Sequence, residues 1–435
     1  MPSPIIRIEC FNAEAPRTQR TAENIVDTSA YLRELCVSAL RTKNKENTTL
    51  ISRPGTRQQV RRRSVHVRTI GAILLLILFL TPCRSGGQTN AQFDISLRVD
   101  YSSADELLDF FGRKANNPAR VAKQQGNQIA ARTSLLLART ERPGDDFVRA
   151  LELARESFKS MNDIYGLKMT MSRLDELKKL LAETKRRRLD TRVVATISSL
   201  FPADASVSLT IPVFVVAMGN ENAAAFVRRV VWRDNTPVFV GDDQGEQVIV
   251  LNLARCLIRG GDVQQEFVQV LSTLAHECFH AVFGAYRSGF PEDTLPRTPF
   301  LALAHLVQNE GIAYHLSREI RDGGEVPPSK WFDATKRAVE TLNAAFLELQ
   351  SPVLTPGRAR DLMMNSNLSG SFEGNYGATA GLRIAYEIEN RLGRPALTET
   401  VREGVRSFFE KYRELCRRDS NLPRLDDRVL RAFLP

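Results

Sequence analysis

Long apolar runs are missing from this chain. Its one uninterrupted hydrophobic stretch, Ile70 to Leu80, lies in a charge-free window of 15 residues between Arg68 and Arg84. A membrane-crossing helix needs about 18–20 apolar residues, so a multispanning membrane protein is excluded. Histidine is scarce at five residues and cysteine at six. With 20 Pro and 25 Gly among 435 residues and 43% hydrophobic content, the chain is neither collagenous nor disordered. There is no internal repeat and no low-complexity segment. The length suits two or three domains, or one large domain with a tail.

Negative charge is also in deficit, with 50 Asp and Glu against 60 Lys and Arg, a net of +10. The deficit is local. Residues 1–86 hold 14 basic and 6 acidic residues, which leaves the remainder close to neutral. A near-neutral globular part argues against nucleic acid as a partner.

The basic cluster Arg61-Arg62-Arg63, with Arg68, precedes the apolar stretch, and small residues come after it in Ser85-Gly86-Gly87. A positive flank and a short apolar core read as an export signal over residues 63–90. A retained short anchor, with membrane association through residues 69–83, and a lipidated Cys83 are the other readings. Pro82 stands where a lipidation signal wants a small residue. Residues 1–62 read as a disordered extension or as the product of a start assigned too early. The mature protein is expected outside the cytoplasm, in the periplasm, cell envelope or medium.

Beyond the leader, residues 91–195 read as a helical domain. A helix over Ala104–Phe111 would be capped by Ser102 or Ser103. Phe147, Leu151, Ala154, Phe158 and Met161 repeat at helical spacing, and Leu174, Leu177 and Leu181 continue the theme. The run Lys185-Arg186-Arg187-Arg188 reads as a solvated helix end, with a phosphate site as the alternative. Residues 196–290 form the second unit, with strands expected at 207–211, 213–216, 227–232, 238–240 and 247–253, the only strand-rich region. Residues 291–435 form a helical third unit. Helices are expected over 263–286, 299–318, 329–350, 377–392 and 397–416. The expected fold class is α+β, predominantly α.

The chemistry concentrates in His276-Glu277-Cys278-Phe279-His280, an HExxH motif that uses two of the five histidines. Residues four apart share a helix face, so both imidazoles can grip one Zn²⁺, while Glu277 can take a proton from a water. Between Leu271 and Tyr286 there is no Pro, and Glu277 is the only carboxylate. A catalytic zinc usually has three protein ligands. A third histidine six residues after His280 is excluded, because Tyr286 stands there. Glu310, in the apolar run Leu306 to Leu316, is a carboxylate that would be costly unpaired. Zinc ligation explains it, and the small Gly311 and Ala313 would let its helix approach the motif helix closely. Glu292 and Asp293, in a loop, are the alternative third ligands. His305 and His315 flank Glu310 by five residues and read as structural. Cys278 reads as packing.

With Asn309-Glu310-Gly311-Ile312-Ala313, the chain resembles the gluzincin metallopeptidases, and most of all bacterial families of zinc-dependent proteases. The resemblance covers about residues 205–390. It implies a zincin-like core, with a small sheet over the motif helix. It also implies one zinc ion on His276, His280 and Glu310, with Glu277 as general base. Thermolysin-like enzymes place an Asp four residues after the ligand glutamate to orient a histidine, whereas Tyr314 stands here. That role falls to Asn309 or His315. The resemblance further implies an oxyanion donor from a later segment, for which Tyr376 in Gly374-Asn375-Tyr376-Gly377 is the first candidate and Tyr386 the second. His315 is a further candidate donor. It also implies that strand 247–253 is an edge to which extended peptide substrate adds.

Cys256, Cys278 and Cys416 are an odd number beyond the leader, which allows one disulfide. The expected function is zinc-dependent peptide hydrolysis. The rivals are an exported helical binding or envelope protein with a structural metal, and a zinc hydrolase of a non-peptide amide.

Overall fold

The computed structural model describes residues 93–138, 145–157, 163–219, 223–241, 244–290, 298–368 and 371–433. The leader with Cys83, Cys10, Cys36, Phe158, Met161, Glu292 and Asp293 lie outside the described residues. The fold is α+β and predominantly α.

The alternation of Phe93, Ile95, Leu97 and Val99 makes a strand, β1 (Phe93–Asp100), so the helical reading of residues 91–195 is corrected at its start. β1 runs parallel to β2 (Val207–Val216), from Phe93 beside Val207 to Asp100 beside Phe214. The two short strands expected at 207–211 and 213–216 are one, continuous through Pro212. β3 (Ala225–Arg233) pairs antiparallel with β4 (Thr236–Phe239) and with β5 (Glu246–Asn252). β5 pairs parallel with β2 only from Val213 onward. Pro212 therefore falls where β2 has one neighbour, and its missing N–H costs little.

The sheet order is β1-β2-β5-β3-β4. This corrects the edge expected at 247–253. β5 is interior, hydrogen-bonded on both flanks, and Val248 to Leu251 are fully buried. No extended peptide can add to it.

The helices between β1 and β2 are α1 (Ser102–Phe111), α2 (Pro118–Ala122), α3 (Gln125–Leu137), α4 (Asp145–Ser157), α5 (Leu167–Ser172), α6 (Leu174–Arg186) and α7 (Leu189–Ser198). Neither Ser102 nor Ser103 caps α1. Instead the Asp100 carboxylate accepts the Ser102 N–H at 2.7 Å. Phe147, Leu151 and Ala154 are buried on α4 as their spacing requires. The basic run ends α6: Lys185 pairs with Asp105 at 2.6 Å, and Arg186 and Arg187 pair with Glu183.

After β5 come α8 (Leu253–Cys256), α9 (Val263–Arg287), α10 (Pro299–Asp322), α11 (Ser329–Leu349), α12 (Pro356–Leu368), α13 (Tyr376–Leu392), α14 (Arg394–Glu403), α15 (Val405–Arg418) and α16 (Asp427–Phe433). The single helix expected over 397–416 is broken at Gly404, whose φ of 81° a side-chain-bearing residue resists. α9 starts with a capping box, Asp262 to the Gln265 N–H and Gln265 back to the Asp262 N–H, and packs on β2, β3 and β5. α10 starts at Thr298 with Pro299 in its first turn and ends at Gly323 in the left-handed region. One apolar core runs from Ile95 to Phe433. No helix among the described residues is long and apolar enough to cross a membrane.

α10 lies between α9 and α13. Its closest backbone contact is with α13, through Gly311 against Gly381, rather than with the motif helix as the small residues suggest. A Cβ on Gly381 would stand 2.0 Å from the Val307 carbonyl oxygen, and one on Gly311 2.3 Å from the Gly381 carbonyl carbon. Both neighbours are backbone and cannot swing aside. Gly381→Ala is therefore expected to cost about 2–3 kcal/mol and lower Tm by roughly 3–4 °C. An unchanged Tm in thermal denaturation would contradict the close crossing.

Candidate metal centre

His276 and His280 lie one turn apart on α9, and Glu310 faces them from α10. His276 Nε2 and His280 Nε2 are 3.0 Å apart, and each is 3.5 Å from Glu310 Oε2. These are the groups among the described residues whose ligand atoms converge as a metal site requires. Zinc bonds of about 2.0–2.1 Å in a tetrahedron place ligand atoms roughly 3.3 Å apart. The triangle fits that spacing, and two imidazoles with a carboxylate are a donor set suited to zinc. The three side chains are 14%, 17% and 16% exposed, so an ion and a small substrate group can reach them.

The far nitrogens decide which tautomer each ring adopts. His280 Nδ1 is 3.0 Å from the amide oxygen of Asn309, which only accepts, so Nδ1 carries the proton. The Ser317 hydroxyl donates to the Ser272 carbonyl at 3.1 Å, and its oxygen accepts from His276 Nδ1 at 3.4 Å. Both Nε2 lone pairs are thereby turned inward, as metal ligation needs. Of the two orienting candidates, the structure favours Asn309. His315 is occupied elsewhere, with its Nε2 2.6 Å from Glu389. Ser317 escapes the sequence reading. Its signal is the spacing of seven from Glu310, which puts both on one face of α10.

Charge is concentrated here. Burial would raise the Glu310 carboxyl, but His280 and His276 outweigh it and hold it well below the usual carboxylate range. Burial works against a charged His280, yet Glu310, Glu277 and Asn309 together lift its imidazole to about 9 in the metal-free protein. Burial raises the Glu277 carboxyl, the two imidazoles pull it down, and Glu310 pushes it up, with a net rise.

Tyr314 closes one side of the site. Its ring meets His276 edge-on at 4.7 Å between centroids. Burial, Glu310 and Glu277 all raise its hydroxyl pKa, and Asn375 hydrogen-bonds to it. The phenol thus stays protonated beside two carboxylates. The segment expected to supply Tyr376 reaches the site through the preceding residue. The Tyr376 hydroxyl is buried and donates to the Leu362 carbonyl at 2.6 Å, so the structure does not bring it to the metal ligands. Tyr386 packs against Trp331, 5.3 Å between centroids, away from the triad. Cys278 is buried on α9 outside the ligand set, His305 is buried on α10, and Cys256, Cys278 and Cys416 form no disulfide.

Orientation of the imidazoles should be measurable. Asn309→Ala and Ser317→Ala are each expected to weaken zinc binding by about 10- to 100-fold. Competition with a chromophoric chelator reads this directly, and wild-type affinity in both variants would contradict the assigned bonds.

No curated protein and no solved structure matches the chain. Residues 119–421 match a family described as "Putative zinc dependent peptidase (DUF5700)". The matched region contains α9, α10 and α13 with every site residue named above. It spans more than half of the 435 residues, and the chain belongs to the family so described.

Proposed function

We propose that the protein hydrolyses peptide bonds at a gluzincin-type site built on His276, His280 and Glu310, with Glu277 as general base. The observation that carries this reading is the ligand set. Three side chains converge, and no fourth protein ligand joins them among the described residues. A structural zinc is normally closed by four protein ligands, commonly including Cys, whereas a catalytic one keeps a position open. Cys278, the nearest cysteine in sequence, is buried outside the cluster. That disfavours the structural-metal rival.

A zinc ion held there would supply a Lewis acid and lower the pKa of the attacking water towards about 7. Glu277, with its carboxyl raised by burial, takes the proton from that water and delivers it to the leaving amine. Tyr314 remains protonated beside the ligands and donates a hydrogen bond to the carbonyl oxygen as negative charge develops on it. Asn375 holds the tyrosine hydroxyl in place. Asn309 and Ser317 keep both imidazoles turned toward the ligand position.

Cleavage of casein or a peptide library by the zinc-loaded full chain tests the reading. Glu277→Gln should retain zinc and lose about 10²- to 10⁴-fold in kcat. Full turnover in that variant, or no cleavage by the wild type, would contradict the proposal. Tyr314→Phe should lose about 10²-fold in kcat, with KM little changed. Tyr376→Phe should leave kcat within about twofold and cost about 1 kcal/mol of stability, because its hydroxyl serves the Leu362 carbonyl. The reverse pattern would return the donor role to Tyr376.

A further inference from the structure

The carboxy-terminal helices form a cleft built from different elements than the metal centre. It has a volume of about 180 Å³ between α15, α16 and the segment that joins them. Its polar lining is strongly one-sided, with Arg413, Arg417, Arg424 and Arg431 against the single carboxylate of Asp427. Arg413 and Arg417 are one turn apart on α15, and Asp427 and Arg431 are one turn apart on α16. Helical spacing therefore aims each pair at the same space.

Arginines elsewhere in this region are paired. Arg428 grips Asp426 at 2.8 Å, and Arg391 bridges Glu387 and Asp419 at 2.7 and 2.8 Å. The arginines of the cleft make no ion pair among the described residues. Arg413 Nε is also buried without a hydrogen-bond partner. A buried, unpartnered guanidinium donor beside three further cations calls for an anion. The floor is firm. Tyr412 is fully buried with its hydroxyl donating to the Pro423 carbonyl at 2.7 Å, and Cys416, Leu425 and Leu430 are buried beside it. The arginines thus project from a packed base.

We propose that this cleft binds a phosphate or a small phosphomonoester. Planar guanidinium forks match the oxygens of such a dianion in pairs of parallel hydrogen bonds. Four guanidinium groups and one carboxylate leave an excess of three positive charges for it. The volume falls below the range of drug-sized pockets, about 300–1,000 Å³, which favours a compact anion over a peptide or nucleotide chain. The site does not depend on the peptidase reading.

Inorganic phosphate titrated into the metal-free full chain by calorimetry tests the proposal. Working without metal keeps phosphate away from an ion at the triad. Saturable binding with Kd near or below about 1 mM is expected. Arg413→Gln and Arg417→Gln should each weaken it roughly tenfold or more, with circular dichroism unchanged. His276→Ala should leave it unaltered, which separates this site from the metal centre. A phosphomonoester such as glycerol phosphate should compete, whereas succinate should not. Absence of saturation, binding indifferent to both arginine variants, loss in His276→Ala, or preference for succinate would each overturn the proposal.

Discussion

Glu310 can meet two imidazoles on a neighbouring helix only because α10 is held between α9 and α13. Helices usually pack with axes about 8–10 Å apart, and side chains set that distance. At Gly311 and Gly381 no side chain intervenes, so α13 comes against the α10 backbone directly. The faces of α10 divide the work. Val307 and Gly311, four apart, meet α13, while Glu310, Tyr314 and Ser317, at steps of four and three, face α9. One helix therefore carries a carboxylate, a tyrosine hydroxyl and a serine hydroxyl to the motif helix in fixed register. A shift of α10 along its axis would misplace all three.

Electrostatics makes the same arrangement demanding. A buried carboxylate next to two imidazoles, with a second carboxylate beside them, is poorly compensated by hydrogen bonds alone. The orienting bonds from Asn309 and Ser317 turn both Nε2 atoms, 3.0 Å apart, toward the Glu310 carboxylate, so that without a metal a proton must be held among them. A divalent cation would satisfy these groups together. Burial first, and then the negative charge of Glu310 and Glu277, raises the Tyr314 hydroxyl pKa and keeps it a donor.

Local spacing makes the centre of the site legible in the amino-acid sequence. Two histidines four apart on a helix without proline, and a glutamate stranded among apolar residues, are short-range signals. Elements that depend on long-range pairing are harder to read. Whether β5 is an edge or an interior strand depends on β2 and β3, which no local pattern of 247–253 records. The small residues around Tyr376 promise proximity to the site. The proximity is real, but Asn375 makes the contact and the tyrosine turns to Leu362. β1 is a different case. Its alternation of Phe93, Ile95, Leu97 and Val99 is plain in the sequence, but the helical periods that dominate residues 104–195 mask so short a strand at their edge. The break at Gly404 needs only a glycine at positive φ, which the sequence carries without announcing.

The central claim is a metal held by two imidazoles and one carboxylate, with a coordination position left to solvent or substrate. Zinc X-ray absorption of the zinc-loaded full chain measures it most directly. The first shell should contain two imidazole nitrogens and oxygen at about 2.0–2.2 Å, and no sulfur. A sulfur scatterer at about 2.3 Å would close the site through a cysteine, and failure to bind zinc stoichiometrically would remove it.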